Sequence, residues 1–297
     1  MTSFKYVKNP HLHGKKYDEL FHLGLSTEDD LKGIFGDVKF VCMGGSINRM
    51  KKFANFIKEK LQLAGFAGDK EVSNLSRTDR YVIYKIGKVL TVSHGIGVPS
   101  ISIVLNEIIK VLSYAGANEV VFFRVGTSGG LGTEPGTVVI TKKAVNGSME
   151  PKYENMILGK RFYYPSDLDS KLASQIQFCS QTDVDFPVIY GDTMCASDFY
   201  EGQARLDGAF CEFNEQEKMT YLKDIKKAGV CNIEMESLCF AAMCRKAGIS
   251  AAVVCVTLVN RLKEDCVTLS PEDHEEYQLR PMKLIIPYII NHLLKTQ

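Results

Sequence analysis

Short apolar runs, each released into a glycine-rich or polar stretch, alternate along the chain with segments whose apolar residues return every three or four positions. The first rhythm is that of strands and the second that of amphipathic helices. The run that organises the rest is EVVFFRVGTSGG, residues 119–130. Residues 120–123 read as a strand buried on both faces, Arg124 interrupts it, and Gly126, Thr127, Ser128, Gly129 and Gly130 predict a turn. Upstream, residues 37–43 predict a strand, Gly44, Gly45 and Ser46 a turn, and the stretch from Arg49 onward a helix. Residues 78–84 and 89–93 alternate with period two about Gly87, as a hairpin does. HGIGVPS, residues 94–100, is another glycine-rich strand end, and it leads into a helix over 101–115 that Gly116 closes. Downstream, the pattern predicts a turn at Glu134, Pro135 and Gly136, a strand over 137–141, helices over 168–179 and 238–247, a strand over 251–258 and a closing helix over 282–294. Residues 1–36 read as an irregular arm with one short helix capped by Ser26 or Thr27. Strand, loop and helix repeat, so the class is α/β. Polar residues gather after strands at 44–49, 93–97, 124–130 and 258–261, the edge at which α/β sheets bind ligands.

Arg124 carries the sharpest chemical signal. A guanidinium at the end of a buried strand is either paired within the protein or faces a cleft that takes an anion, since an unpaired buried charge costs several kcal/mol. The plain alternative is an arginine bonded to loop carbonyls. The 44–49 stretch, a strand then Gly-Gly and a helix, offers backbone donors to an anion. It lacks the ending of a P-loop and the spacing of GxGxxG, which favours a single phosphate over a nucleoside triphosphate. Between 192 and 208, Phe199, Gln203 and Arg205 have side chains suited to stack on, and bond, a planar amide-bearing ring. Glu234 and Glu236 flank Met235 at a helix entrance, where the helix dipole partly accounts for acids. His22 sits among Leu20, Phe21 and Leu23, a setting in which histidine is more often structural than a ligand.

Composition narrows the partners. The 297 residues are 45% hydrophobic, enough for a substantial core, and no Pro/Ser-rich linker divides them, so a single domain is expected. Net charge is +1, from 36 Lys+Arg against 35 Asp+Glu spread along the chain. No basic patch points to nucleic acid or a membrane surface, which leaves a small molecule. The polar amino terminus has no apolar signal core and no later stretch is expected to span a bilayer, so a cytoplasmic protein is expected. Nine cysteines, an odd number, fit reduced and mostly buried thiols, and Cys239 and Cys244 lack the partners of a zinc site.

The motifs GGSINRM, SHGIGVPS, RVGTSGG, DFYEGQARLDG, NIEMES and VVCVTLVNR occur in this order over nearly the whole chain. Together they resemble the uridine phosphorylases of the nucleoside phosphorylase-I family, the animal enzymes above all. GTSGG and EMES are shared with purine-acting relatives, whereas FYEGQARLDG marks the uracil-binding branch. The resemblance implies a single α/β domain over 37–297, with a twisted mixed, barrel-like sheet surrounded by helices, and an arm over 1–36 that contributes to a subunit interface. It implies a pentosyltransferase of pyrimidine salvage that converts uridine and phosphate reversibly to uracil and ribose 1-phosphate. No cofactor or metal is implied, inorganic phosphate being a co-substrate. Carried over by residue, phosphate is bound by Gly45, Arg49, Arg124 and Thr127, with Arg80 lent by the second subunit of a homodimer. Ribose is held by His22, also lent, and by Thr127, Met235 and Glu236. Uracil is held by Phe199, Gln203, Arg205 and Arg261. Arg124, Gln203, Arg205 and Glu236 carry the catalytic charge. Tyr81 stands where bacterial relatives have an acid that binds a monovalent cation, so no potassium site is implied and the bacterial hexamer is a poor template. A purine-specific relative would place Asp or Asn where Gln203 and Arg205 stand. A phosphorylase of broader pyrimidine specificity, acting also on thymidine or deoxyuridine, is one alternative, and a paralogue that binds nucleoside or phosphate without turnover is the alternative from another class.

Overall fold

A computed structural model describes residues 5–66, 72–181 and 184–295; positions 1–4 of the expected arm lie outside the described residues. The chain gathers into two compact units, one of residues 1–123 with 243–251, the other of 124–242 with 252–297.

The first unit begins with a small ribbon, β1 (Glu19–Leu20) and β2 (Leu25–Ser26), followed by the short helix α1 (Leu31–Phe35). The helix starts later than expected and its cap is Asp30, whose carboxylate accepts the Gly33 N–H. Leu20, Leu23, Leu25, Leu31 and Phe35 are buried, so this segment helps build the unit's core. Next come β3 (Phe40–Gly44), α2 (Ile47–Leu63), β4 (Ile83–Ile86), β5 (Val89–Ser93), α3 (Gly97–Ala115) and the first residues of β6 (Val121–Gly130). β3 pairs parallel with β5, and β4 antiparallel with β5. Gly116 ends α3 in the left-handed region at φ 72°, where an L side chain is disfavoured. Contrary to the expectation that no stretch could span a bilayer, α3 has the length and hydropathy to do so, but it is mostly buried within the protein.

The second unit holds the rest of β6, then β7 (Val138–Val145), β8 (Lys152–Ile157), β9 (Lys160–Pro165), α4 (Ser170–Ser180), β10 (Val188–Cys195), α5 (Glu215–Lys227), β11 (Val230–Glu234), α6 (Ser237–Ala247), β12 (Ser250–Asn260) and α7 (Pro271–Lys295), with α6 and β12 partly in the first unit. Hydrogen bonding runs β11–β10–β7–β12–β6, and β11 also pairs with β6, closing a five-stranded mixed barrel. Closure gives each of these five strands a partner on both sides. A chain of buried polar side chains ties the wall: Thr141 Oγ1 lies 2.7 Å from Thr193 Oγ1, Thr193 donates to Asn232 Oδ1 at 2.8 Å, Asn232 donates to Ser128 Oγ at 2.9 Å, and Ser128 donates to the Val256 carbonyl at 3.2 Å. Those residues come from β7, β10, β11, β6 and β12, so one network touches every strand.

The α/β class and the barrel-like mixed sheet agree with expectation; several local features do not. The glycine-rich stretch after Arg124 is not a turn but the second half of β6, and Gly129 and Gly130 are paired in register with Ile233 and Asn232. The glycines supply room rather than a bend. A Cβ on Gly126 would lie 2.7 Å from Arg124 Nη1, and one on Gly129 would lie 2.7 Å from Arg261 Cγ. The exposed β8–β9 hairpin and the strands β10 and β11 were not read in the sequence. α7 starts at Pro271 instead of 282, because Ser270 caps it by accepting the Asp273 N–H and proline suits the first helical turn.

Candidate active site

The predicted residues fall into three groups. Arg124 is buried on β6, and its Nη2 lies 2.8 Å from Glu234 Oε2 and also bonds Glu236 Oε2. Nη1 donates to Cys255 Sγ at 2.9 Å. The partners are therefore two carboxylates and a thiol from β11, the α6 entrance and β12, not loop carbonyls. Burial by itself would lower the Arg124 pKa, but the charge of Glu234, with that of Cys255 and Glu236, outweighs it and holds the pKa well above the usual value. Burial in turn raises the Glu234 carboxyl, which Arg124 opposes.

The two acids differ in what else they do. Glu234 accepts the N–H groups of Glu236 and Ser237, each at 3.0 Å, and the Ser237 hydroxyl, so it caps α6 while countering Arg124. The resemblance gives Glu236 to the ribose, whereas Glu234, the other counter-ion of Arg124, is not singled out by the sequence. Met235 is half-buried between them, and Thr127 is half-buried on β6.

In the second group, Gln203 ends a 3-10 turn, Glu201–Gln203, and Ala204 follows in the left-handed region at φ 53°. The Gln203 carbonyl accepts from Arg261 Nη2 at 2.9 Å, and the Ala204 carbonyl at 3.3 Å. The Arg205 guanidinium lies 4.7 Å from the centre of the Phe199 ring. It is forked onto Asp207, with Nε to Oδ1 at 2.8 Å, and Nη1 donates to the Asp265 carbonyl oxygen at 3.0 Å. The hydrogen bond from Arg205 holds the Asp207 carboxyl below the usual carboxylate range. Phe199 is 45% exposed, as a stacking surface must be before a ring arrives.

Arg261 is almost fully buried at the end of β12, and its Nε bonds Asp265 Oδ1 at 2.9 Å. Neither Arg124 Nε nor Arg261 Nη1 has a hydrogen-bond partner among the described residues. Asp207 and Asp265 were not singled out in the sequence. An acid four residues after Arg261 was the available signal.

The third group belongs to the first unit. Ser46 caps α2 by accepting the Arg49 N–H, which places half-buried Arg49 in the first helical turn, four residues after Gly45. A Cβ on Gly45 would lie 3.0 Å from the Gly95 carbonyl, so the two glycine-rich strand ends approach closely. Arg80 is exposed, and Tyr81 beside it is buried, donating its hydroxyl to the Ser100 carbonyl at 2.9 Å. His22 Nδ1 lies 2.7 Å from the carboxylate of Glu107, which also accepts the His22 and Leu23 N–H groups. A lone acid on the apolar helix α3 needed such partners.

Comparison with known proteins agrees with these motifs. The sequence model of the phosphorylase superfamily matches residues 39–282. Uridine phosphorylase 2 of Mus musculus is 50% identical over 97% of this chain and 90% of its own length. A uridine phosphorylase structure from the oomycete Phytophthora capsici superposes with a TM-score of 0.93 at 41% identity, covering 98% of both chains. The Schistosoma mansoni uridine phosphorylase in complex with uracil superposes with a TM-score of 0.88 at 39% identity, covering 95% of this chain and 97% of its own. The chain therefore belongs to the phosphorylase superfamily, within its uridine phosphorylase branch.

Proposed function

We propose that the protein is a uridine phosphorylase that cleaves uridine with inorganic phosphate to uracil and ribose 1-phosphate, reversibly, without a further cofactor. The observation that carries this reading is the pair of unsatisfied donors on Arg124 and Arg261. Buried N–H groups are ordinarily bonded, so two buried arginines that each keep one in reserve are suited to ligands.

In this reading Gly45, Arg49, Arg80, Arg124 and Thr127 bind phosphate, and His22, Thr127, Met235 and Glu236 bind ribose. Phe199, Gln203, Arg205 and Arg261 bind uracil. Breaking the glycosidic bond builds positive charge on the sugar and negative charge on the base. The dianion opposes the first, and the Gln203 amide with two guanidiniums draws off the second. Glu234 keeps Arg124 charged and in place, while Glu236 exchanges its bond to Arg124 for the ribose hydroxyls as phosphate arrives. Arg80 and His22 complete the site of the other subunit in a homodimer. The nine free thiols fit a reducing, cytoplasmic setting.

The test is the ultraviolet absorbance of uridine, thymidine, 2′-deoxyuridine and inosine, followed with and without phosphate. Phosphate-dependent loss of uridine is expected, with inosine unchanged. Calorimetric binding of uridine with no phosphate-dependent change would replace the enzyme by a binding protein.

A further inference from the structure

The uracil residues sit on a support whose centre is one acid that the reading above does not use. Asp265 Oδ1 accepts from Arg261 at 2.9 Å, and Oδ2 accepts from Lys218 Nζ at 2.7 Å and from the Leu206 N–H at 3.2 Å. Its main-chain carbonyl accepts from Arg205 Nη1 at 3.0 Å. Arg261 then carries the link onward to the carbonyls of Gln203 and Ala204. The end of β12, helix α5 and the 3-10 turn are thus joined at a single carboxylate.

We propose that Asp265, seconded by Lys218, is a positioning residue for the pyrimidine base: it holds Arg205 and Arg261 in the orientation that a leaving uracil requires. The inference rests on the assignment of Gln203, Arg205 and Arg261 to the base. Two cations, Arg261 and Lys218, bond this carboxylate, and Arg205, whose own carboxylate partner is Asp207, bonds the main-chain carbonyl of the same residue. Without the carboxylate, Arg261 and Lys218 would repel one another in a poorly solvated place. A purely structural anchor would consume every donor of Arg261. Here Asp265 takes Nε and shares Nη2 with the turn carbonyls, while Nη1 keeps no partner among the described residues. Burial would raise the Asp265 carboxyl, but the bond from Lys218 and the charge of Arg261 outweigh it, so the group stays ionised near neutrality. Asp265 touches no substrate in this scheme; it acts through the two arginines.

The experiment measures KM and kcat for both substrates, in both directions, on the full-length protein and on Asp265→Asn, Asp265→Glu, Lys218→Met and Gln203→Leu, with thermal unfolding of each. Losing a hydrogen bond to a charged group predicts a rise in KM for uridine and for uracil of roughly tenfold to a hundredfold in Asp265→Asn. KM for phosphate and for ribose 1-phosphate should stay within about twofold, the scatter expected of a substitution distant from their contacts. Asp265→Glu should recover part of the loss. Should Asp265→Asn not fold, Lys218→Met, which removes only the partner on α5, must show the same split between substrates. A folded Asp265→Asn with unchanged KM for uridine overturns the proposal, and so does an equal loss for uridine and phosphate, the mark of a merely structural role. If Gln203→Leu retains normal uridine turnover, the base assignment itself falls and takes this inference with it. If Gln203→Leu is inactive while Asp265→Asn is normal, only the positioning role is lost.

Discussion

Glu234 and Glu236 are two residues apart and share one guanidinium, yet their surroundings give them different work. Glu234 is bonded by two backbone N–H groups, a hydroxyl and Arg124, so removing it uncaps α6, leaves those buried donors unpaired and leaves Glu236 as the one carboxylate on Arg124 among the described residues. Glu234→Ala should therefore cost about 3–5 kcal/mol of stability, measured by urea unfolding. Glu236→Ala leaves Arg124 paired with Glu234, so it should unfold close to the parent protein while uridine turnover falls by roughly 100-fold or more. Equal destabilisation by the two substitutions would contradict this division. A helix entrance explains either acid, and in the sequence only the family resemblance singles out Glu236. The contact with Arg124 on β6, 112 positions from Glu236 in the chain, is shared by both; what separates them is that the Glu236 and Ser237 N–H groups and the Ser237 hydroxyl bond Glu234.

Elements show where local pattern suffices and where it does not. α2 and α3 were legible because their apolar positions keep helical spacing and because Ser46 and Gly116 mark their ends. The second half of β6 was not, since glycine, threonine and serine favour turns unless neighbouring strands hold them extended. Asn232 is the residue through which the barrel wall is tied, and Asn232→Leu would leave Thr193 and Ser128 each short of a partner. A loss of about 2–3 kcal/mol in urea unfolding is expected; an unchanged midpoint would show that the network contributes nothing net.

At the start of the chain, Asp18 joins its own segment to α3 through Lys110 Nζ at 2.5 Å and the Tyr114 hydroxyl at 2.6 Å. Burial would raise its carboxyl, but the bonds from Lys110, Tyr114 and Lys15 outweigh burial and bring its pKa down to about 2. A pKa depressed below the ordinary 3.8 stabilises the folded state above that pH, and the contribution fades as pH falls from there through about 2. Asp18→Asn should flatten the acid limb of the stability curve in that window and leave its shape near neutrality unchanged. An acid limb identical to the parent's would remove the linkage.

At the scale of the whole molecule, the proposed homodimer would draw each active site from two subunits. Arg80 is exposed and Gln203 is buried, so substitutions at the two fail for different reasons. Arg80→Ala and Gln203→Leu homodimers should each be nearly inactive. Mixed and re-associated, they should regain activity, because one site of the heterodimer would draw Arg80 and Gln203 from the two unaltered positions. A mixture that stays as inactive as its components rules out shared sites.

What the order of residues determined by itself is the α/β alternation, the ends of the well-capped helices and the motifs that mark the family, since periodicity, capping and motifs are local properties. What only the tertiary structure decided is how those side chains are held: glycines that make room for arginines, a carboxylate that counters Arg124, and an aspartate whose carboxylate takes Arg261 and Lys218 and whose carbonyl takes Arg205. Each of these joins residues far apart in the chain, and the energy of a buried charge is set by its neighbours in space, which no local pattern specifies.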